Sequence, residues 1–517
     1  MTALKNPISE SPQTSYTGSP DLRSTLLDPN SSISKPNYSN KIYYTMLFAG
    51  FSNLLGWNAF ITAFPLFEVL LVGSNFETSY GNFFSFFYTF GGLIALTYTL
   101  ATQNKLNYEK RIYTGFVINA VTFFLFAILP YFSFIRKNLA FYIILILDLI
   151  LTFSGSYTQS PLFAFTARLS PVYLQGMMTG QAVAGIFSSA FQLIVAHLTS
   201  INSSSSSTGK ILTSGLKLRT LLCFSVSGLL ILLSIYFLIA LKKNPSYIKE
   251  IEYYNYQASL YSCDIDEQEE SSTRPKNWKD HARVIYNTFK ETFNYNHAII
   301  MTFAVTLAVF PTLTSKVKVV DPKYNIQFLT EWHFVIFNIG DFIGRPLASF
   351  INQYQSWAHF VVFGVYNSIT RIFKPNRPAL QSFNRNKVFI IFLLAFSYVR
   401  WVFLPIFLAN STCSSSSRSA SQMVTDSTQN INNTSLTSNN MLLQSIALNS
   451  GKSLVNIFFL LAVLILGITN GFIASCAIVS GPNTSKNPDL AGSIMSFSVL
   501  FGLAVGSLLS FPVSSGC

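Results

Sequence analysis

Residues 331–350 read EWHFVIFNIGDFIGRPLASF, an apolar run that contains an aspartate and an arginine. Asn338, Asp341 and Arg345 are spaced three and four residues apart, so a helix places them on one face. A charge at the centre of a membrane-spanning helix costs at least about 2.5–3.5 kcal/mol and therefore requires a reason. The run predicts a transmembrane helix in which Asp341 and Arg345 pair. The pair either locks two helices together or faces a cavity, where it can hydrogen-bond the vicinal hydroxyls of a ribose.

The rest of the chain has the same apolar character. Of its 517 residues, 50% are hydrophobic and 11% are charged, and the mean hydropathy is +0.39. Soluble proteins carry roughly 25% charged residues. The apolar residues fall in runs of about 20, enough to cross a bilayer core as helices. The sequence therefore predicts an all-α membrane protein of eleven transmembrane helices, over residues 43–63, 82–102, 112–132, 139–160, 178–198, 219–241, 298–316, 332–352, 388–409, 453–474 and 492–512.

The basic residues indicate how the chain is oriented. The net charge of +13 does not indicate a nucleic-acid binder, because the basic residues lie between the apolar runs. They concentrate after the second, sixth and eighth runs, which places these loops and the N-terminus in the cytosol and the C-terminus outside. Lys316, Lys318 and Lys323 count against this orientation. The residues that favour it are Lys105, Lys110, Arg111, Lys242, Lys243, Arg371, Lys374, Arg377, Arg385 and Lys387.

Long polar stretches divide the chain into segments. Residues 1–40 are predicted to be a disordered cytosolic tail. Residues 41–241 form a six-helix bundle, 242–297 a cytosolic linker, and 298–517 a five-helix bundle with a Ser/Asn-rich outer loop at 410–452. Glycosylation sequons at Asn202, Asn410 and Asn433 suit an outer face. A 6+5 arrangement suggests two halves that alternate access to a central site.

The fourth run carries a polar stripe. Asp148, Thr152, Gly155 and Gln159 recur at spacings of four, three and four residues. The amide of Gln159 both donates and accepts hydrogen bonds, which suits the edge of a nucleobase, although the stripe can equally serve hydrogen bonding and close packing between helices. Asp148 has no local partner. It either carries a proton across the membrane or lies solvated in an outer cavity.

Two further positions are candidates for function. In the first run, an apolar stripe is formed by Leu54, Trp57 and Ile61. The indole of Trp57 either stacks on a nucleobase or packs against neighbouring helices. In the ninth run, Arg400 lies about twelve residues inside the helix. It either pairs with an acid in a cytosolic gate or extends its side chain towards the membrane surface.

Enzymatic and metal chemistry have no support in the sequence. The histidines do not cluster with cysteine or serine, and no phosphate-binding loop, nucleophile elbow or zinc-protease motif is present. We therefore predict no metal, no cofactor and no enzymatic activity. The five cysteines form no metal-ligand spacing; they are Cys223, Cys263, Cys413, Cys476 and Cys517.

Several motifs, in the right order, resemble the equilibrative nucleoside transporter family. They are GFSNLLGWNAFITA at 50–63, QSPLFAFTARLSPVYLQGMMTGQAVAG at 159–185, FNIGDFIGRPL at 337–347, Arg400 with Pro405, NGFIASCAIVSGPN at 470–483 and AGSIMSFSVLFGLAVG at 491–506. The resemblance implies a major-facilitator-like fold of six plus five helices. It also implies passive transport of nucleosides, and in some members of nucleobases, by alternating access.

The resemblance also implies roles for individual residues. Asp341 and Arg345 occupy the ribose-contacting positions, within the same motif as Asn338, and Gln159 occupies the base-contacting position. Arg400, together with Pro405, matches the family pattern RxxFxP in the ninth span. The pocket is lined by Leu54, Trp57, Ile61 and Leu503. The implied partners are nucleosides and membrane lipid, with no nucleic acid and no obligate protein partner.

The sequence departs from the family pattern at three positions. Gly56 replaces a proline, Pro346 follows the motif arginine, and Asp148 is not a general family feature. Asp148 leaves proton-coupled nucleoside transport as an alternative, beside a major-facilitator carrier of another small polar solute. The tail segment DLRSTLLDP at 21–29 is similar to a dileucine sorting signal, so both the plasma membrane and a vacuolar or lysosomal membrane are candidate locations.

Overall fold

The computed structural model of the chain describes residues 36–77, 79–103, 107–132, 135–202, 208–266, 278–311, 313–314, 326–353, 385–410 and 438–515. Regular secondary structure within these ranges is helical throughout. The predicted tail up to residue 35 lies outside the described residues, as do Lys105, Arg371, Lys374, Arg377, Asn433 and the three lysines at 316, 318 and 323.

The first half of the chain forms a bundle of long helices. These are α1 (Asn40–Thr62), α2 (Phe64–Leu71), α3 (Tyr80–Ala101), α4 (Tyr108–Ile128), α5 (Lys137–Ala167), α6 (Pro171–Asn202) and α7 (Thr208–Leu241). Helix α1 packs against α6 and α7, and α5 packs against α3 and α4. Phenylalanine rings at positions 60, 67, 84, 126 and 141 form the centre of this bundle.

The second half follows two helices that lie between the bundles in sequence. These are α8 (Pro245–Asp266) and α9 (Trp278–Glu291). The remaining helices are α10 (Phe293–Val309), α11 (Ile326–Gln353), α12 (Arg385–Val399), α13 (Phe403–Asn410), α14 (Ser438–Thr484) and α15 (Pro488–Ser515). Helix α11 packs against α14, and α10 packs against α15 and α12. Between the halves, α11 contacts α6, and α15 contacts both α5 and α3.

Seven helices in the described part of the chain are long and apolar enough to cross a membrane. The chain is therefore a multi-pass membrane protein. Each of the eleven predicted runs contains a helix, and α10 ends at Val309 within the seventh run. Eleven crossings and the direction of the termini stay predictions. The ninth run is divided by a 3₁₀ turn, Arg400–Val402, between α12 and α13. The turn precedes Pro405, whose missing N–H and ring disfavour a continuous α-helix.

Two predicted polar segments are more helical than expected. Residues 438–452, predicted to be outer loop, belong to α14, so this helix begins well before the predicted residue 453. Residues 411–437 lie outside the described part. Much of the predicted linker 242–297 is helical, as α8, α9 and the first turn of α10. Hydropathy alone missed these helices because a polar helix gives no apolar run.

Glycines allow two helix pairs to approach closely. A Cβ atom on Gly344 of α11 would lie 2.1 Å from the carbonyl oxygen of Ile468 in α14. A Cβ atom on Gly471 of α14 would lie 2.0 Å from the carbonyl oxygen of Asp341. In the first half, a Cβ atom on Gly180 of α6 would lie 1.8 Å from the carbonyl oxygen of Leu47 in α1. Small residues at such spacing let helix backbones touch within a membrane.

Candidate functional site

Asp341 and Arg345 form a buried ion pair, as their spacing predicts. The Nε of Arg345 donates to Oδ2 of Asp341 at 2.9 Å, and the side chains of Arg345 and Asp341 are 5% and 7% exposed. The Nη1 of Arg345 donates to the carbonyl oxygen of Met178 at 2.6 Å, on α6 of the opposite half. Within the described residues these bonds use two of the five guanidinium N–H donors and leave the others for a ligand. The pair can thus both join the halves and bind a polar solute.

A chain of hydrogen bonds connects this pair to Arg400. The Nδ2 of Asn470 donates to Oδ1 of Asp341 at 2.7 Å, and Oγ1 of Thr306 donates to Oδ1 of Asn470 at 2.8 Å. The Nη2 of Arg400 donates to Oγ1 of Thr306 at 2.8 Å. The network thus passes through α14 and α10 to the turn after α12. Sequence analysis did not single out Asn470 or Thr306. Each is a polar residue within an apolar helix, and Asn470 is also the first residue of the motif at 470–483.

Arg400 does not extend towards the membrane surface, so that expectation is wrong. Its side chain is 1% exposed, and its Nη1 donates to the carbonyl oxygen of Thr302 at 2.9 Å. Its Nη2 also approaches the carbonyl oxygen of Leu466 at 3.3 Å. Among the described residues Arg400 forms no ion pair with an acid. Its charge is instead solvated by helix carbonyls and one hydroxyl within the second half.

Asn338 lies on the same helix, at the contact between the halves. Its Nδ2 donates to the carbonyl oxygen of Phe334 at 2.9 Å, within α11. Its Oδ1 faces Gly185 of α6 so closely that a Cβ atom on the glycine would lie 2.3 Å away. Asn338, Asp341 and Arg345 therefore lie along one side of α11, and each is near a second helix.

Within the polar stripe on α5, Gln159 contacts helix α15 of the second half, which packs against α5. The Nε2 of Gln159 donates to Oγ of Ser496 on α15 at 3.1 Å, and the Gln159 side chain is half-buried. One turn away, a Cβ atom on Gly155 would meet no atom within 4 Å, so open space lies against this position. A partly exposed amide beside open space can bind a ligand. Gln159 also has the alternative role, because its bond to Ser496 is a hydrogen bond between two helices.

Asp148 is fully buried, and the expectation of a solvated position in an outer cavity is wrong. Its exposure is 0%, and neither carboxylate oxygen has a hydrogen-bond partner among the described residues. Tyr88 on α3 is near enough for its hydroxyl to interact electrostatically with Asp148. A buried carboxylate without a partner is unfavourable when ionised, so this position favours a bound proton.

The predicted pocket-lining side chains are all half-buried. They are Leu54, Trp57 and Ile61 of α1 and Leu503 of α15. The ring of Trp57 contacts Tyr88, with the ring centroids 4.0 Å apart. The indole therefore packs against a neighbouring helix on one side, which is one of its two predicted roles. Helix α1 continues through Gly56, whose nearest neighbours are the side chains of Leu151 and Phe123.

An ionic contact joins the halves at the end that carries α8. The Nη2 of Arg168, just after α5, lies 3.4 Å from Oδ2 of Asp489 at the start of α15. The Tyr108 hydroxyl donates to the same oxygen at 2.9 Å. The Arg168 guanidinium lies over the rings of Tyr108 and Tyr254, at 4.7 and 5.6 Å. Burial alone lowers the pKa of Arg168, but Asp489 raises it overall, so the guanidinium stays charged.

These contacts close one end of the interface between the halves. The Oγ of Ser493 on α15 approaches the carbonyl oxygen of Ser160 on α5 at 3.3 Å. The Nε2 of Gln175 on α6 donates to the carbonyl oxygen of Arg345 at 2.6 Å. Sequence analysis did not find this closure, because each of its contacts joins helices that are distant in sequence.

No metal site stands out in the part of the chain that the structure describes. Within those residues, no three or more His, Cys, Asp or Glu side chains are grouped so that they could hold a metal ion. Cys223 and Cys476 are buried.

The sequence profile described as nucleoside transporter matches residues 144–400 and 451–514, more than half of the chain. This chain belongs to the nucleoside transporter family. The matched ranges include Asp148, Gln159, Asn338, Asp341, Arg345, Arg400 and Leu503, whereas Leu54, Trp57 and Ile61 precede them.

Similar proteins and a solved structure agree with this membership. The nucleoside transporter FUN26 of Saccharomyces cerevisiae is 24% identical over 504 residues, which cover 91% of this chain and 84% of that protein. The equilibrative nucleoside transporter 2 of Homo sapiens is 24% identical over 343 residues, covering 58% of this chain and 72% of that protein. The crystal structure of FucP, a major facilitator superfamily transporter, aligns with a TM-score of 0.50 at 12% identity, covering 92% of this chain and 96% of that one. The nucleoside transporter family membership predicted from the motifs is confirmed, and so is a major-facilitator-like fold.

Proposed function

We propose that this chain carries nucleosides, and nucleobases as a second class, down their gradients across a membrane. Family membership supports nucleosides as the substrates, and the transporter fold supports alternating access. The observation that carries the proposal is the buried Asp341–Arg345 pair, which touches both halves and keeps guanidinium donors available.

The arrangement suggests how substrate and movement are coupled. Vicinal ribose hydroxyls can accept from Arg345 and donate to Asp341, while Gln159 can meet the edge of the base. Both Arg345 and Gln159 also bond across the interface, to Met178 and Ser496. A substrate that shares these groups changes the contacts between the halves when it binds, so binding favours one arrangement of the halves over another. Leu54, Trp57, Ile61, Asn338 and Leu503 complete the proposed site, and Arg400 holds Asp341 through its hydrogen-bond network.

The proposed arrangement in the membrane follows from the charge pattern. We propose eleven crossings as six plus five, an N-terminal cytosolic tail at 1–40, a cytosolic linker at 242–297 and an outer C-terminus. The membrane is the plasma membrane or that of a vacuole or lysosome.

Uptake of labelled adenosine and uridine into proteoliposomes tests the site. We expect saturable uptake by the wild-type protein that stops at equilibrium. Arg345→Lys keeps a positive charge beside Asp341 but lacks the forked guanidinium, so we expect uptake to fall at least about tenfold. Gln159→Ala should weaken nucleoside affinity with little change in folding.

Gln257→Ala, on α8 outside the site, is the matched control and should transport normally. Normal uptake by correctly folded Arg345→Lys and Gln159→Ala would contradict the proposed site. A folded wild-type protein that transports no nucleoside would contradict the substrate.

A second candidate function is proton-coupled nucleoside transport. The observation that favours it is Asp148, whose carboxyl group is fully buried without a hydrogen-bond partner in the described residues. Tyr88 lies near enough to interact with it electrostatically. A carboxyl group that must be neutral when buried can take up a proton when it becomes accessible in another conformation.

A further inference from the structure

A cavity of about 700 Å³ lies outside the proposed substrate site, at the end of the bundle that carries α8. It is formed where the start of α1 meets the end of α7 and the start of α8. Its lining residues are Asn40, Lys41, Tyr44, Thr45, Leu47, Phe48, Phe237, Ala240, Leu241, Lys243, Asn244 and Pro245.

The cavity has a cationic mouth and an apolar floor. Lys41 and Lys243 are exposed at the mouth, and among the described residues neither forms an ion pair. The neighbouring Lys242, in contrast, is bound to Glu109. Leu47, Phe48, Phe237, Ala240 and Leu241 form the floor. Two unneutralised ammonium groups above an apolar groove match a ligand with an anionic head and a hydrocarbon body.

The position of the cavity along the helices agrees with such a ligand. The segment Thr220–Leu241 of α7 is one of the candidate membrane spans, and Lys243 follows two residues after its end. Phe237 lies four residues before Leu241, so Phe237 is about 6 Å deeper in the membrane along the helix. Its ring is 36% exposed, so the floor opens sideways. The lysines are therefore at the level of lipid headgroups, and the floor is at the level of the first acyl carbons.

We propose that this cavity binds an anionic glycerophospholipid. Lys41 and Lys243 hold the phosphate headgroup, and an acyl chain lies along the surface formed by the rings of Phe48 and Phe237, which contact each other at a centroid distance of 5.3 Å. Basic pockets between membrane helices bind anionic lipid headgroups by the same combination of charge and apolar contact. The lipid joins α1, α7 and the start of α8, so it stabilises the junction between the first bundle and the linker. This inference does not depend on the identity of the transported solute.

Native mass spectrometry of the full-length protein with added phosphatidylserine or phosphatidylcholine tests the proposal. We expect phosphatidylserine to bind at least about fivefold more tightly, because each lysine near the headgroup contributes roughly 1 kcal/mol. Lys41→Gln/Lys243→Gln should reduce phosphatidylserine binding to the level of phosphatidylcholine. Ala240→Trp, which fills the floor and leaves both lysines, should reduce binding of phosphatidylserine as well.

Lys110→Gln/Lys249→Gln is the matched control, because it removes the same charge from exposed lysines outside the cavity. It should bind lipid as the wild-type protein does. Equal losses in the two double variants would overturn the proposal in favour of a general charge effect. Unchanged binding in Lys41→Gln/Lys243→Gln would show that the cavity is not the site. Competition by glycerol 3-phosphate together with normal binding by Ala240→Trp would indicate a soluble phosphate ligand and overturn the lipid assignment.

Discussion

The buried charges of this protein differ in how they are stabilised. Arg345 has a carboxylate and a carbonyl as partners, and Arg400 has carbonyls and a hydroxyl. Asp341 accepts from both Arg345 and Asn470. Burial of a charge is tolerated when it is paired and hydrogen-bonded in this way. Asp148 lacks such partners among the described residues, so it is the buried acid best suited to exchange a proton during transport.

We expect uptake by the wild-type protein to rise as the external pH falls, because only the protonated Asp148 is stable in the buried position. Asp148→Asn is neutral at every pH and has nearly the same shape. It should therefore lose the pH dependence while it still transports. Uptake by proteoliposomes across a pH series measures this, with Glu252→Gln on α8 as the control for removal of a carboxylate. An unchanged pH dependence in Asp148→Asn would rule out coupling through this residue.

Helices α11 and α14 place the site through glycine contacts. Gly344 and Gly471 bring the two backbones together beside Asp341, and the same contact brings Asn470 within hydrogen-bond distance. The spacing of glycines in α11, at 340 and 344, is repeated in α14 at 467 and 471. This packing explains why two helices separated by about a hundred residues share one polar network.

Gly344→Ala should destabilise the protein, because the added Cβ atom would lie 2.1 Å from the carbonyl oxygen of Ile468, a backbone atom that cannot rotate aside as the end of a flexible side chain can. Overpacking of this kind costs roughly 1–3 kcal/mol. Gly155→Ala adds the same methyl group where no atom lies within 4 Å, so it should leave folding unchanged. Thermal unfolding in detergent compares the two variants. Equal unfolding temperatures would contradict the proposed role of the close helix contact.

Across the whole molecule, polar contacts between side chains and backbone groups join the two halves. The contacts are Arg168 with Asp489, Arg345 with Met178, and Gln159 with Ser496. Alternating access requires such contacts to break and reform, so none of them can be very strong. The Arg168–Asp489 pair is only partly buried, at 33% and 21% side-chain exposure, which suits a contact that opens in each cycle.

Asp489→Asn should loosen the interface at the end that carries α8, because it removes the charge that attracts Arg168. A partly exposed ion pair is worth roughly 0.2–1 kcal/mol, so opening should increase by up to about fivefold. Maleimide labelling of a cysteine placed at Ser160, in a background without native cysteines, measures the opening. Glu109→Gln breaks the Lys242–Glu109 pair, which lies within the first half, and is the matched control. Equal labelling rates in the two variants would contradict a gating role for Arg168 and Asp489.

Local features of the sequence determined much of this protein. Apolar runs predicted its helices, and the four-residue spacing of Asp341 and Arg345 predicted their ion pair, because both depend on the geometry of one helix. The motifs predicted the family in the same way. Polar helices, such as residues 438–452 of α14, could not be predicted from apolar runs, because they leave no hydropathy signal.

Only the tertiary structure decided which distant groups meet. It brought Asn470 and Thr306 to Asp341, buried Asp148 without a partner in the described residues, and joined Arg168 to Asp489 over 321 residues. These outcomes depend on how the helices are rotated and spaced against each other. That arrangement is set by packing summed over many contacts, such as those at Gly344 and Gly180, and no single segment of the chain carries it.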